Sequence, residues 1–166
     1  MSLLPAKNDL GFFEIRLESI GGLGANLAGK MLAEAGVLGL GLNGSNFSSY
    51  GSEKKGSPVK GFIRFCDPDV EIRDHSPIEE PHVIGIFHEA LYKMVDVVSG
   101  LRPNGIVLVN STRDFESVKT DLGMKNGTLA IVDALGIAVE EKTKVNTAML
   151  GALFRICDFL DPDAMR

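Results

Sequence analysis

The segment "IRLESIGGLGANLAGKMLAEA", residues 15–35, predicts how the chain begins to fold. Its opening residues alternate apolar and polar side chains, a pattern typical of a β-strand with one buried face. Gly21, Gly22 and Gly24 follow, and from Ala25 the apolar side chains recur at helical spacing. A strand, a glycine loop and a helix in this order are the first unit of an α/β protein.

The rest of the chain continues the alternation of strands and helices. We expect an extended pair around residues 40–47 and 59–65, then strands at 82–87, 105–111 and 128–134. The segment after residue 87 reads as a crossover helix, and a last amphipathic helix is expected from about Val145. We therefore predict one α/β domain over residues 1–166, a Rossmann-like three-layer sandwich with a mostly parallel sheet and helices on both faces.

Composition excludes several classes of partner. The 166 residues carry a formal net charge of -5, which argues against a partner such as nucleic acid or an anionic membrane. Cys66 and Cys157 are far apart and belong to no Cys/His cluster, so we expect neither a disulfide nor a zinc or iron–sulfur site. No uninterrupted apolar stretch reaches the roughly 18 residues of a membrane span. These features predict a cytoplasmic protein without a metal site of its own.

The glycine loop resembles a dinucleotide-binding motif only in part. In the pattern G-x-G-x-x-G, Gly22 and Gly24 supply the first two glycines, but Leu27 occupies the third position. About 20 residues later, where a ribose-binding acid is expected, the chain reads Gly41-Leu42-Asn43. Two interpretations stay open: the glycines allow a tight turn from strand to helix, or the loop contacts an anion or cofactor without forming a full dinucleotide pocket.

A second glycine-bounded stretch is "SYGSEKKGSPVKGFIRF", residues 49–65. Gly51 and Gly56 permit positive φ, and Pro58 disfavours a helix, so we predict a shaped loop that leads into a strand. The basic residues of the stretch are Lys54, Lys55, Lys60 and Arg64. Such a loop would concentrate positive charge beside free backbone N–H groups and hold phosphate or carboxylate. The alternative is a solvated hairpin whose lysines keep the sheet edge soluble.

Candidates for catalysis are few. His75, His82 and His88 have no metal-ligand spacing, and His82 and His88 flank one strand as capping or surface residues. Ser111 and Thr112 end a predicted strand, but no Ser/His/Asp pattern supports a nucleophile. We therefore predict a domain without a complete active site and without catalytic residues.

Three blocks of the sequence resemble the gamma subunit of 2-oxoacid:ferredoxin oxidoreductases, a domain also fused into single-chain pyruvate:ferredoxin oxidoreductase. They are "IGGLGANLAGKMLAEAG" (residues 20–36), the stretch at residues 49–65, and "VNTAMLGALFRICDFL" (residues 145–160). The middle block, with Tyr-Gly-x-Glu before basic residues and a glycine, is the most specific. The chain departs from many members at Leu23, where they carry Gln, and at Ser57, where they carry a second glycine.

The resemblance implies a division of labour. Alpha, beta and delta type subunits would bind thiamine diphosphate with Mg, and iron–sulfur clusters. The whole enzyme would decarboxylate a 2-oxoacid (pyruvate, 2-oxoglutarate, branched-chain or aryl) oxidatively to its acyl-CoA and reduce ferredoxin. The gamma subunit would be inactive alone, would pack on the thiamine subunits and would contribute to coenzyme A binding.

The same resemblance places eight residues on the cofactor side or at the subunit interface: Gly22, Gly24, Tyr50, Gly51, Glu53, Lys54, Lys55 and Gly56. Two other functions remain open at this point. The chain is a free-standing Rossmann-like module that binds a nucleotide by itself, or it is a purely structural subunit in which the glycine loops serve packing.

Overall fold

A computed structural model describes residues 1–50 and 56–165 of the chain. Among these residues six strands form one sheet in the order β2-β3-β1-β4-β5-β6. The strands are β1 (Phe13–Ile20), β2 (Asn43–Tyr50), β3 (Pro58–Cys66), β4 (Val83–Ile86), β5 (Ile106–Asn110) and β6 (Thr128–Val132). The extended pair expected between residues 40 and 65 is the antiparallel pair β2 and β3.

The sheet is mostly parallel, as predicted. Strand β1 pairs in parallel with β4, and β4, β5 and β6 continue in the same direction. Strand β3 runs against its neighbours β1 and β2. Because β3 is antiparallel to both of its neighbours, β2 runs in the same direction as β1. The carboxyl ends of all the strands except β3 therefore lie at one edge of this six-stranded sheet.

Helices cover both faces of the sheet. The α-helices are α1 (Ala25–Glu34), α2 (Phe115–Leu122), α3 (Ala134–Glu140) and α4 (Val145–Ile156). A π-helical turn at Ala35–Gly39 extends α1, and 3-10 turns occupy Glu89–Lys93 and Pro162–Met165. Helices α1 and α4 bury residues such as Leu32 and Leu153 in one core, whereas α2 buries Val118 in a second core with Val107 and Val109. The predicted three-layer arrangement is therefore confirmed.

The crossover helix expected after β4 does not form. Between β4 and β5 the structure has only the 3-10 turn Glu89–Lys93 followed by turns. Residues 95–99 of this segment are Val, Asp, Val, Val and Ser, which are all weak helix formers. The segment is held to the sheet through β1, where the guanidinium of the buried Arg16 donates to the carbonyl oxygens of Val97 at 3.4 Å and Ser99 at 2.7 Å.

None of the described helices combines the length and the apolar character needed to cross a membrane. The longest of them, α4, has 12 residues.

His82 lies at the start of β4 and is buried against β1. Its ring stacks on Phe13 with centroids 4.8 Å apart, and its Nδ1 accepts a hydrogen bond from the backbone N–H of Glu14 at 3.0 Å. Burial, followed by repulsion from Arg102, lowers the pKa of His82 to about 4 from an ordinary 6.5. The neutral imidazole is therefore the form that the fold stabilises.

This pKa predicts an acid-sensitive fold. Because the folded-state pKa lies below the unfolded one, the contribution of His82 to stability is complete above pH 6.5 and is lost as the pH falls towards 4. The loss amounts to roughly 3 kcal/mol, at 1.36 kcal/mol for each pKa unit. Urea unfolding at pH 7 and pH 4.5 should show a smaller pH dependence for H82Q than for the wild type.

The matched control is H75Q, since His75 is exposed. It should keep the pH dependence of the wild type. An equal pH dependence in H82Q and the wild type would contradict the assignment.

Candidate functional site

The connections that follow β1 and β4 leave the sheet towards opposite faces. After β1 the chain enters α1, which packs in the first core, and after β4 it enters the turn whose Leu91 packs in the second core. Adjacent parallel strands with diverging connections leave a crevice outside their carboxyl ends, where α/β proteins bind ligands. The glycine loop at Gly21–Gly24 lies at this crevice.

The two glycine-bounded loops of the sequence meet at this edge. The backbone N–H of Gly21 donates to the carbonyl oxygen of Ser57 at 3.0 Å. A Cβ atom on Gly21 would lie 3.7 Å from the backbone nitrogen of Gly56. The pairing of β1 with β3 causes this contact, because it places Ile20 opposite Pro58 and so brings the ends of both loops together.

Gly22 and Gly24 have different structural requirements. Gly22 has φ 95° and a Cβ atom there would meet nothing within 4 Å, so its backbone is open to an approaching group. Gly24 has φ 78°, and a Cβ atom would lie 2.5 Å from Nδ2 of Asn146, which donates to the carbonyl oxygen of Gly24 at 3.4 Å. Packing against Asn146 is enough to explain why a glycine is needed at Gly24. At Gly22 no neighbouring side chain restricts the residue, and packing does not explain why the surface above it is open.

Helix α1 begins at this loop without a side-chain cap. Its N-cap residue is Gly24, and no acidic residue lies in the first turn. The first N–H groups of a helix have no partner within the helix and carry the positive end of its dipole. With Gly24 at the cap, no side chain from that position competes for these donors. The edge therefore offers backbone donors suited to an anion.

Tyr50 is held at the same edge by the first turn of α1. The amide Nδ2 of Asn26 donates to Oη of Tyr50 at 3.1 Å, and Oγ of Ser48 donates to Oδ1 of Asn26 at 2.8 Å. Tyr50 as a whole remains 63% exposed at the end of β2. Asn26 is thus a positioning residue that the motif analysis missed, although its place in the first turn after the glycine loop was visible in the sequence.

The remaining predicted site residues belong to the connection between β2 and β3. Gly51, Glu53, Lys54 and Lys55 lie outside the described residues. Gly56 has φ 88° and open space where a Cβ atom would stand, which agrees with the glycine-shaped loop expected there.

Two of the basic residues predicted to join Lys54 and Lys55 are already paired. Arg64 is 2% exposed and its Nε lies 2.7 Å from Oε2 of Glu14, while Nζ of Lys60 lies 3.3 Å from Oε1 of Glu18. The idea that they add free positive charge to the loop is therefore wrong. The β1–β3 register explains the difference, because it places Glu14 opposite Arg64 and Glu18 opposite Lys60.

Glu18 itself is an ionisable group deep in the sheet. It is 1% exposed, and Oε1 lies 2.9 Å from Nε of Arg16 as well as near Lys60. Burial raises the pKa of Glu18, and the two cations oppose this shift. The carboxylate serves to pair two cations inside the fold, and it is not accessible to a ligand.

An open groove of about 590 Å³ lies on the other side of the glycine loop. It runs between Gly22–Gly24 and the connection from α3 to α4, which carries Lys142 and Lys144. Lys142 has φ 52°, in the left-handed region. The contact of this connection with the glycine loop was not predicted, because no local pattern shows that residues about 120 positions apart in the sequence lie together. The local feature that could have drawn attention to it is a pair of lysines between two helices.

The other candidates have structural roles. Nδ1 of His88 accepts from the backbone N–H of Ala90 at 3.0 Å and caps a 3-10 turn, and His75 is exposed. Oγ of the buried Ser111 accepts from the backbone N–H of Arg113 at 3.0 Å, and Thr112 is exposed. Within residues 1–50 and 56–165 no group of three or more His, Cys, Asp or Glu has the arrangement of a metal site. Cys66 and Cys157 are both buried and free.

These features define an α/β protein with an anion-compatible carboxyl edge. Comparison with known proteins specifies it further: residues 14–166 match the family model of pyruvate ferredoxin/flavodoxin oxidoreductase. The chain is 39% identical to the pyruvate synthase subunit PorC of Thermotoga maritima over 156 residues, covering 93% of this chain and 79% of the relative. The chain therefore belongs to the pyruvate ferredoxin/flavodoxin oxidoreductase family.

Two further comparisons place the chain within the family. It is 40% identical over 142 residues to the common gamma subunit of the pyruvate/ketoisovalerate oxidoreductases of Thermococcus kodakarensis, covering 84% of this chain and 75% of the relative. The crystal structure of the pyruvate oxidoreductase subunit PORC of Thermotoga maritima superposes with a TM-score of 0.79 at 38% identity, covering 93% of this chain and 81% of that one. The resemblance seen in the sequence is confirmed: the chain is a gamma subunit of a pyruvate or related 2-oxoacid ferredoxin oxidoreductase, and it has partner subunits.

The different surroundings of Gly22 and Gly24 predict different costs of substitution. G24A places a side chain in left-handed backbone and against Asn146, and we expect it to destabilise the fold by more than about 2 kcal/mol. G22A meets only the backbone penalty, about 1 kcal/mol. Urea unfolding of both variants measures the difference.

The double variant G24A/N146A separates strain from contact. It removes the side chain that the new Cβ atom would meet, so part of the cost of G24A should be recovered. Equal destabilisation by G22A and G24A, with no recovery in the double variant, would show that Asn146 does not restrict this position.

Proposed function

We propose that this gamma subunit supplies part of the coenzyme A site of its oxidoreductase, at the carboxyl edge of the sheet. The observation that carries the proposal is the contact between the two glycine-bounded loops, where the N–H of Gly21 binds the carbonyl oxygen of Ser57. Coenzyme A is rich in phosphate, and open backbone N–H groups at a helix start bind phosphate well.

Each predicted residue has a distinct part in this proposal. Gly22 and Gly56 keep the backbone near the phosphates free of side chains, and Gly24 leaves the first N–H groups of α1 without a side-chain cap. Tyr50 offers an exposed ring for stacking or apolar contact beside them. Lys54 and Lys55, with Gly51 and Glu53, belong to the loop that joins β2 to β3, and both ends of that loop lie at this edge. The lysines would neutralise phosphate charge. Glu14 and Glu18 would compete less for these lysines, because the two carboxylates already pair with Arg64 and Lys60.

The bond-breaking chemistry belongs to other subunits. We propose that alpha, beta and delta type partners hold thiamine diphosphate with Mg and the iron–sulfur clusters, and that ferredoxin accepts the electrons. Thiamine diphosphate supplies the carbanion chemistry of 2-oxoacid decarboxylation. The part of this chain is to bind and orient the acyl acceptor. We propose pyruvate as the 2-oxoacid, because one similar relative is a pyruvate synthase subunit and another is common to pyruvate and ketoisovalerate oxidoreductases. We propose the cytoplasm as the location, because Cys66 and Cys157 are both free.

The proposal predicts a specific kinetic defect. In the assembled enzyme, K54A/K55A should raise the KM for coenzyme A about 10- to 100-fold, since a net contribution of about 0.7–1.4 kcal/mol from each lysine corresponds to this change at about 1.4 kcal/mol per tenfold. The KM for the 2-oxoacid should not change. Steady-state assays of ferredoxin reduction at varied coenzyme A concentration provide the measurement.

A matched control is K119A/K125A, which also removes two exposed lysines, in and after α2. It should leave both KM values unchanged. If K54A/K55A assembles normally with an unchanged KM for coenzyme A, the lysine loop is not a coenzyme A contact and the gamma subunit is structural at this edge.

A further inference from the structure

Exposed apolar side chains gather on one side of the glycine loop. Leu27 of α1 is 54% exposed, and Leu135 and Val139 of α3 are 60% and 72% exposed. All three line the groove of about 590 Å³ between the glycine loop and the connection from α3 to α4. Single exposed apolar residues are ordinary, but several that line one groove mark a contact surface.

A basic rim borders this apolar groove. Lys142 and Lys144 are exposed and make no ion pair with any residue of the described part of the chain. Glu140 and Glu141, which precede them in the chain, are exposed too, but neither lines the groove, so the charged residues of its lining are both basic. Charge complementarity therefore favours an occupant with acidic groups around an apolar centre.

The groove walls are fixed to the rest of the fold. Oδ1 of Asn110 accepts from the backbone N–H of Ala134 at 3.0 Å, and Oδ1 of Asp133 caps α3 by accepting from the N–H of Gly136 at 2.8 Å. The N–H of Thr143 donates to the carbonyl oxygen of Ala138 at 2.9 Å. A surface fixed in this way loses little conformational freedom when a partner binds.

We propose that this groove, lined by Leu27, Leu135 and Val139 and bordered by Lys142 and Lys144, is the docking surface for a partner subunit of the same oxidoreductase. The partner would present apolar side chains flanked by Asp or Glu. The inference rests on the membership of this chain in a multi-subunit enzyme and is independent of the coenzyme A proposal. A partner seated here would also reach Gly22–Gly24, which line the same groove, and would close the candidate site from one side.

The first test is assembly of the complete oxidoreductase with a tag on another subunit. V139D and L135D place a charge in the apolar centre, and we expect the recovery of the gamma subunit with the tagged complex to fall by more than about tenfold. The control is L38D. Leu38 is 71% exposed, nearly the same fraction as Val139 at 72%, but it lies away from the groove, on the π-helical turn at the far end of α1. L38D should be recovered like the wild type, and thermal unfolding of each isolated variant confirms its fold.

The second test concerns the sign of the charge. K142E/K144E should weaken recovery of the gamma subunit, more at low than at high salt, whereas K119E/K125E, far from the groove, should not. V139K should be tolerated better than V139D if the partner is acidic. Equal loss of recovery with V139K and V139D would show that the partner does not present acidic groups around this groove.

Other outcomes overturn the proposal. Full recovery of V139D and L135D in the complex would show that no partner subunit docks here. Normal recovery with a raised KM for coenzyme A would assign the groove to the ligand. If the isolated wild type is a dimer that V139D dissociates, while the tagged complex retains V139D, the occupant is a second copy of this chain. None of these results depends on K54A/K55A, so the docking and coenzyme A proposals fail separately.

Discussion

The buried guanidinium of Arg16 is the interaction on which one whole face of the sheet depends. It is 3% exposed, lies 2.9 Å from the carboxylate of Glu18, and donates to backbone carbonyl oxygens in segments 78–79 and 97–99. These segments are irregular and close the face that carries α2. If the guanidinium were removed, the buried carbonyls would lose their donor and the carboxylate of Glu18 would keep only Lys60 as a partner, which is a costly change in a fold.

The opposite face of β1 is apolar, and this difference divides the molecule. Ile15 and Leu17 pack with Leu32 of α1 and Leu153 of α4 in a conventional core. The charged side chains of β1 point the other way and pair with those of β3 or with backbone carbonyls. Packing on the two faces and the pairing of β1 thus stabilise the sheet, and the glycine loop lies outside both, at the carboxyl edge.

Both proposals about this subunit concern the carboxyl edge of the sheet. The glycine loop lies between the connection from β2 to β3 and the connection from α3 to α4. It contacts the first through Ser57, and it contacts Asn146 at the start of α4. A cofactor contact on one side and a partner subunit on the other would use the same rigid loop. The two proposals concern different sides of Gly22–Gly24, and each is tested by its own set of variants.

The sequence by itself determined the local units, because periodicity and glycine positions act over a few residues. It predicted the strand, glycine loop and helix at residues 15–35, the mostly parallel sheet, the start of α4 at Val145 and the family. Tertiary structure decided what depended on distant partners. The register of β3 against β1 paired Lys60 and Arg64 with buried carboxylates. Arg16 bound the backbone of the segment where a crossover helix was expected, and the packing of α4 brought Lys142 and Lys144 to the glycine loop. These outcomes follow from contacts between residues far apart in the chain, whose geometry no local pattern records.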